Sequence, residues 1–222
     1  MRIIFILSLI VTLISNLFIV EKIVKRPGNV FNQVFTPPGG GKTTLASDLV
    51  RNIMHNGEKN NKKIYSNVPI IGAYRFEIDD LGKYEMRDCI LIIDEAGAKL
   101  SNRNWQHNLN LNQITTLKLH RHLNIDIWLF SQSYGDVDNK FRELTTGLYM
   151  LQQSRIPFRI NAKAIEKKVD LINGQIVDFY EWDKSNFFHF WSVPNWAYFN
   201  TEQVDEVLPK KFFTRYRKSD TI

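Results

Sequence analysis

The residues best suited to chemistry lie in Phe35-Thr36-Pro37-Pro38-Gly39-Gly40-Gly41-Lys42-Thr43-Thr44. A short apolar run, Val30 to Phe35, precedes them, and Leu45, Leu49, Val50, Ile53 and Met54 follow at helical spacing. Strand, glycine-rich turn and helix is the context of a phosphate-binding loop. In the nucleotide-binding stretch Pro38 to Thr44, the backbone N–H groups of Gly39, Gly40, Gly41, Lys42, Thr43 and Thr44 would turn toward phosphate oxygens, aided by the positive end of the helix. Lys42 would reach the terminal phosphates, and Thr43 would offer its hydroxyl to magnesium. Thr36 stands where the usual G-x-x-x-x-G-K-[ST] pattern has its first glycine, and threonine does not readily take positive φ. That predicts a differently shaped loop entry, with Pro37 and Pro38 helping to set it. The plain alternative is a surface turn that happens to contain Gly-Lys-Thr.

A second candidate is Cys89-Ile90-Leu91-Ile92-Ile93-Asp94-Glu95, a branched apolar run ending in two carboxylates. It reads as a strand buried on both faces, as in a parallel sheet, with acids at the C-terminal edge where ligands bind. Asp94 would hold magnesium and Glu95 would polarise the water attacking the γ-phosphate. Exposed acids at a strand end are the competing reading, weakened by the phosphate loop lying one helix and one strand upstream. Gln132, after the strand Ile125 to Ser131, would sense the γ-phosphate or orient that water; otherwise it is a solvent-facing polar residue. Arg142, Arg121 and Arg103 are candidate arginine fingers supplied to a neighbouring subunit, each alternatively a surface ion-pair residue. His120-Arg121-His122 has no metal-site spacing.

Several elements must position these groups. The pattern predicts a strand from Lys63 to Ile71 ended by Pro69, a turn or short helix at Ile78 to Gly82, and a helix from Asn108 to His122. A short helix is expected from Asp136 to Leu144 and a strand from Leu148 to Leu151. Two further strands, Phe158 to Asp170 and Gln175 to Trp182, flank the hairpin signal Asn173-Gly174. Aromatic residues then crowd Phe187 to Phe199. They could stack single-stranded nucleic acid, contact a membrane interface, or pack a hairpin against the core.

The formal charge of +6 and pI near 9.3 suit a polyanionic partner, nucleic acid or an anionic membrane face. A composition with 44% hydrophobic residues excludes a disordered protein. One cysteine, Cys89, excludes an intrachain disulfide and a cysteine-cluster metal site, and it reads as an ordinary buried residue. Ile3 to Val20 is almost wholly apolar and would span roughly 27 Å as a helix, about a bilayer's hydrocarbon thickness. A retained anchor is the expectation over a cleaved signal peptide, with Lys22, Lys25 and Arg26 favouring a cytoplasmic C-terminal side. The tail Lys210 to Lys218 is basic with Phe212, Phe213 and Tyr216 interleaved, suited to phosphate backbone or lipid headgroups.

Taken together, Thr36 to Thr44, Lys63 to Pro69, Ile92-Ile93-Asp94-Glu95-Ala96, His120 to Asp126 and Phe130-Ser131-Gln132 resemble the zonula occludens toxin-like ATPases of filamentous phages, in the FtsK/HerA group of P-loop NTPases. The resemblance covers roughly Val30 to Leu151. It implies an α/β fold of the ASCE, RecA/FtsK-like kind, with a mainly parallel sheet. It further implies Mg2+-dependent ATP hydrolysis, a homo-oligomeric ring, and phage DNA, the host inner membrane and phage coat or export proteins as partners. Under it Lys42, Glu95 and Gln132 would be catalytic, and Thr43 and Asp94 would bind metal. The anchor precedes the nucleotide domain here, whereas better-known relatives place it after. The expected organisation is an anchor with a basic flank at 1–26, a P-loop core at 27–152 and a β-rich aromatic extension with a basic tail at 153–222. The leading function is a membrane-anchored ATPase driving phage DNA translocation or virion extrusion. Alternatives are a packaging motor of a membrane-containing phage, a non-hydrolysing ATP-binding scaffold, and a nucleotide kinase, which neither the paired acids nor the anchor suits.

Overall fold

The computed structural model describes residues 29–55, 62–96, 111–172 and 175–199. Eight strands form one sheet in the order β3-β2-β4-β5-β1-β6-β7-β8: β1 (Phe31–Phe35), β2 (Lys63–Ser66), β3 (Tyr74–Arg75), β4 (Cys89–Ile93), β5 (Ile125–Ser131), β6 (Gly147–Gln153), β7 (Arg159–Ile172) and β8 (Gln175–Trp191). The first six are parallel, while β7 joins β6, and β8 joins β7, antiparallel. Because β5 lies between β1 and β4, the glycine-rich loop and the paired acids emerge at the same end of the sheet, one strand apart.

Alternation along the strands gives each face its own core. Val34, Ile90, Ile92, Trp128, Phe130 and Tyr149 face one side, where α1 (Lys42–His55) buries Leu45, Leu49, Val50 and Ile53 against them. Each of these buried side chains contributes roughly 1.5–3 kcal/mol. Phe31, Leu91, Ile93, Ile127 and Leu129 point to the other face, under Leu117 of α2 (Leu111–Lys118) and Phe141 of α3 (Asn139–Arg142). All five side chains of β4, Cys89 included, are buried, as their uninterrupted apolar character requires.

Several elements differ from their expected lengths. β2 stops at Ser66 rather than Ile71, because Asn67 turns its side chain to the end of β4. Among the described residues α2 ends at Lys118, where turns closed by His122 N to Leu119 O and Ile125 N to His120 O lead into β5. β8 runs on to Trp191, so the aromatic crowd is divided by pleat: Phe188 and Phe190 are buried in the α1-side core, while Phe187 is exposed. A short 3-10 segment, Val193–Tyr198, follows and crosses back toward α1. The expected turn at Asn173-Gly174 and the basic tail lie outside the described residues. So does the apolar run Ile3 to Val20; among the described residues no helix is long and apolar enough to cross a membrane.

Candidate active site

β1 delivers the glycine-rich loop into a tightly closed turn. Thr36 N donates to Ser131 O, Gly40 N to Pro37 O, and Leu45 N to Gly41 O, the last beginning the helical ladder of α1. Gly39 and Gly41 have φ of 76° and 96°, the left-handed region that glycine occupies without penalty. Thr36 is not among the residues with positive φ. Its side chain instead fills the space left by the hydrogen of Gly40, where a Cβ would stand 1.9 Å from Thr36 Oγ1. The missing first glycine is thus accommodated by another glycine four residues on. Ile160 of β7 backs Gly41, and Gln153 at the end of β6 donates to Gly39 O at 3.3 Å.

At the start of α1, Lys42 Nζ folds over the loop to Thr36 O at 3.4 Å, and Thr43 Oγ1 comes within 3.5 Å of Asp94 Oδ2. Asp94 is buried, which pushes its carboxyl above the ordinary value, while the Glu95 N–H and Lys42 pull the other way. Asn67 grips the Asp94 backbone from both sides, donating to its carbonyl and accepting from its N–H. Glu95 is exposed and has φ 53°, an uncommon conformation for a non-glycine residue. Its N–H donates to Asp94 Oδ1 at 2.8 Å. Gln132 follows the last residue of β5, exposed at the same sheet end, on the strand between loop and acids.

The hard oxygens of Thr43 and Asp94 form a donor pair that fits Mg2+, with phosphate and water left to complete its shell. Among the described residues no larger cluster of His, Cys, Asp or Glu could hold a metal. Lys42, Thr43, Asp94, Glu95 and Gln132 are therefore gathered at one sheet end. The two described candidate arginines make their contacts elsewhere. Arg121 sits in the turn before β5, its carbonyl accepting from Asn29 at the opposite end of β1. Arg142 stacks 4.7 Å over the Tyr134 ring and donates to Asn139. Arg103 lies outside the described residues.

Asn67, Gln153 and Ile160 were not singled out from sequence. Nor were the aromatic residues beside the loop: a cavity of about 550 Å³ is lined by Gly39, Gly41, Lys42, Thr43 and Thr44 together with Trp196 and Phe199. The polar pair Ser66-Asn67 shortly before Pro69 is the one sequence signal for Asn67.

Solved structures similar to this chain include the N-terminal domain of zonular occludens toxin from Neisseria meningitidis, at 20% identity and TM-score 0.46, covering 62% of this chain and 83% of the other. The genome packaging NTPase B204 of Sulfolobus turreted icosahedral virus 2 is similar at 11% identity and TM-score 0.44, covering 70% and 97%. A KaiC-like protein from Pyrococcus horikoshii is similar at 11% identity and TM-score 0.40, covering 69% and 90%. No curated protein matches by sequence. The family described as zonular occludens toxin (Zot) matches residues 73–189, from β2's partner strand β3 to the aromatic end of β8. With that match over more than half its length, the chain belongs to the Zot family.

Proposed function

We propose that this protein is a membrane-anchored ATPase whose Mg-ATP hydrolysis drives phage DNA movement during virion assembly or extrusion. The observation that carries the reading is the 3.5 Å approach of Thr43 Oγ1 to Asp94 Oδ2, which joins the phosphate loop to the paired acids. Lys42 would neutralise the γ-phosphate, and the backbone N–H groups at the start of α1 would bind the oxygens behind it. Magnesium, when bound at Thr43 and Asp94, supplies charge neutralisation at phosphate oxygens. Glu95 would take the proton of the attacking water, and Gln132 would hold that water in line.

The motor reading draws on family membership and on the net charge of +6, which suits a sequence-independent grip on a polyanion. The apolar run Ile3 to Val20 supports tethering to the host inner membrane with the ATPase domain in the cytoplasm, where ATP is available. A homo-oligomeric ring would let a neighbour's arginine, Arg121, Arg142 or Arg103, complete each site. The test is ATP turnover of the detergent-solubilised full chain with single- or double-stranded DNA. Turnover stimulated by DNA and abolished by Lys42→Ala and Glu95→Gln, with Glu95→Gln still binding ATP, is the expected result. Undiminished hydrolysis in Glu95→Gln would overturn the mechanism, and binding without turnover in the wild type would leave a scaffold.

A further inference from the structure

The 3-10 segment Val193–Tyr198 is fastened to the nucleotide half of the molecule at two points. Asn195, fully buried, donates from Nδ2 to Asp48 Oδ1 at 3.0 Å and to Trp191 O at 2.8 Å. Asp48 belongs to α1, one turn beyond Thr44, and is itself buried. Three residues after Asn195, Tyr198 O accepts from Ile71 N at 2.9 Å. Between these pins stands Trp196, 53% exposed although its neighbour Asn195 is buried. Phe158 meets the Trp196 ring edge-on at 5.7 Å and 81°, which supports the indole from one side. The free part of the indole faces the cavity over Gly39, Gly41 and Thr44, with Phe199 beside it.

Resting on the reading of Gly39 to Thr44 as a phosphate site, we infer that Trp196, flanked by Phe199, is the stacking surface for the base of the bound nucleoside triphosphate. The cavity has one polar floor and one aromatic wall. Its floor is the loop backbone with Lys42, Thr43 and Thr44, all engaged by phosphate or metal when nucleotide is present; its wall carries the two aromatic rings. About 550 Å³ lies within the range of small-molecule sites. An exposed indole held rigid by Phe158 and the Asn195–Asp48 pin stacks with little loss of side-chain freedom. Among the described residues no lining side chain remains to read the edge of the base, so stacking strengthens binding without selecting adenine over guanine.

The experiment is nucleotide binding to the full chain in detergent, with a non-hydrolysable ATP analogue, its GTP counterpart and inorganic tripolyphosphate as probes. Trp196→Ala is expected to weaken both nucleotides about tenfold or more while leaving tripolyphosphate within about twofold. Trp196→Phe should keep most of the affinity but lose the change in tryptophan emission that nucleotide causes in the wild type. Unchanged nucleotide affinity in Trp196→Ala overturns the inference. Equal losses for nucleotides and tripolyphosphate overturn it too, since they mark a collapsed loop rather than a lost stack. If the wild type holds tripolyphosphate as tightly as nucleotide and Lys42→Ala abolishes both, the phosphate reading stands and the stack falls. If the wild type binds neither probe, the phosphate reading fails as well.

Discussion

The Asn67 side chain holds the Asp94 backbone at two points: Nδ2 donates to Asp94 O at 2.9 Å, and Oδ1 accepts from Asp94 N at 2.7 Å. The carboxylate that faces Thr43 is therefore oriented by a residue just past the end of the neighbouring strand β2. Asn67→Ala removes both bonds and leaves a part-buried N–H and carbonyl unpaired, at a cost of about 1–3 kcal/mol. Because outer-shell partners fix a metal ligand, ATP turnover should fall about 10- to 100-fold, with a higher magnesium requirement. Magnesium titrations of turnover check this; an unchanged requirement would mean that Asp94 needs no such clamp.

The fit of Thr36 against Gly40 predicts a rescue. In Gly40→Ala the new methyl would overlap the Thr36 side chain, which has a backbone-fixed Cβ at 2.8 Å and cannot simply rotate away. ATP affinity should drop about tenfold or more as the loop is forced open. Adding Thr36→Gly removes every atom in the overlap, so the double variant should recover most of the affinity, a strongly non-additive pair. Two independent losses that sum would refute the contact.

Glu95 carries a cost in stability. Its φ of 53° is a conformation that asparagine adopts far more readily, and the left-handed region costs an ordinary residue about 1–2 kcal/mol. Glu95→Asn should raise unfolding stability by about 1 kcal/mol while eliminating turnover. Thermal unfolding beside an ATPase assay separates the two effects. A variant that is both active and less stable would contradict the assigned role.

Burial holds the Asp48 carboxyl above its ordinary value of 3.8, against the lowering donors Asn195, Arg51 and Asn52. The folded chain therefore binds that proton more tightly than the unfolded chain does. The contribution to stability is full below pH 3.8 and is lost as pH rises through the elevated folded value. Asp48→Asn has no such proton, so the wild type should lose stability relative to the variant as pH is raised from acid toward neutrality. Urea midpoints for both proteins across that range test the direction, and a gap independent of pH would disprove it.

The sequence announced what depends on local order. Gly39 to Thr43 and Asp94-Glu95 are contiguous patterns with a mechanical meaning, and the parallel arrangement brings them together with no further information. What it concealed depends on side chains leaving their expected element. Asn67 read as the middle of a strand because Lys63 to Ile71 carries no breaker before Pro69; its side chain ends β2 at Ser66 to serve Asp94. The aromatic crowd from Phe187 to Phe199 could not be divided by composition, since pleat alone sends Phe188 and Phe190 inward and leaves Phe187 outside. Trp196 was lost in the same crowd, because its position depends on a buried pair, Asp48 and Asn195, far apart in the chain.

The antiparallel ribbon of β7 and β8 bears on how far this molecule can be pared down. A fragment ending at Gln153 would retain every motif residue, yet it would lose the Ile160 buttress behind Gly41 and expose β6 as a raw edge. It would also take away the Asn195 amide that donates to the buried Asp48 Oδ1 of α1. The smallest piece that keeps its glycine loop in shape thus extends through Tyr198, so the half that carries the loop and the paired acids must be expressed and engineered together with the ribbon.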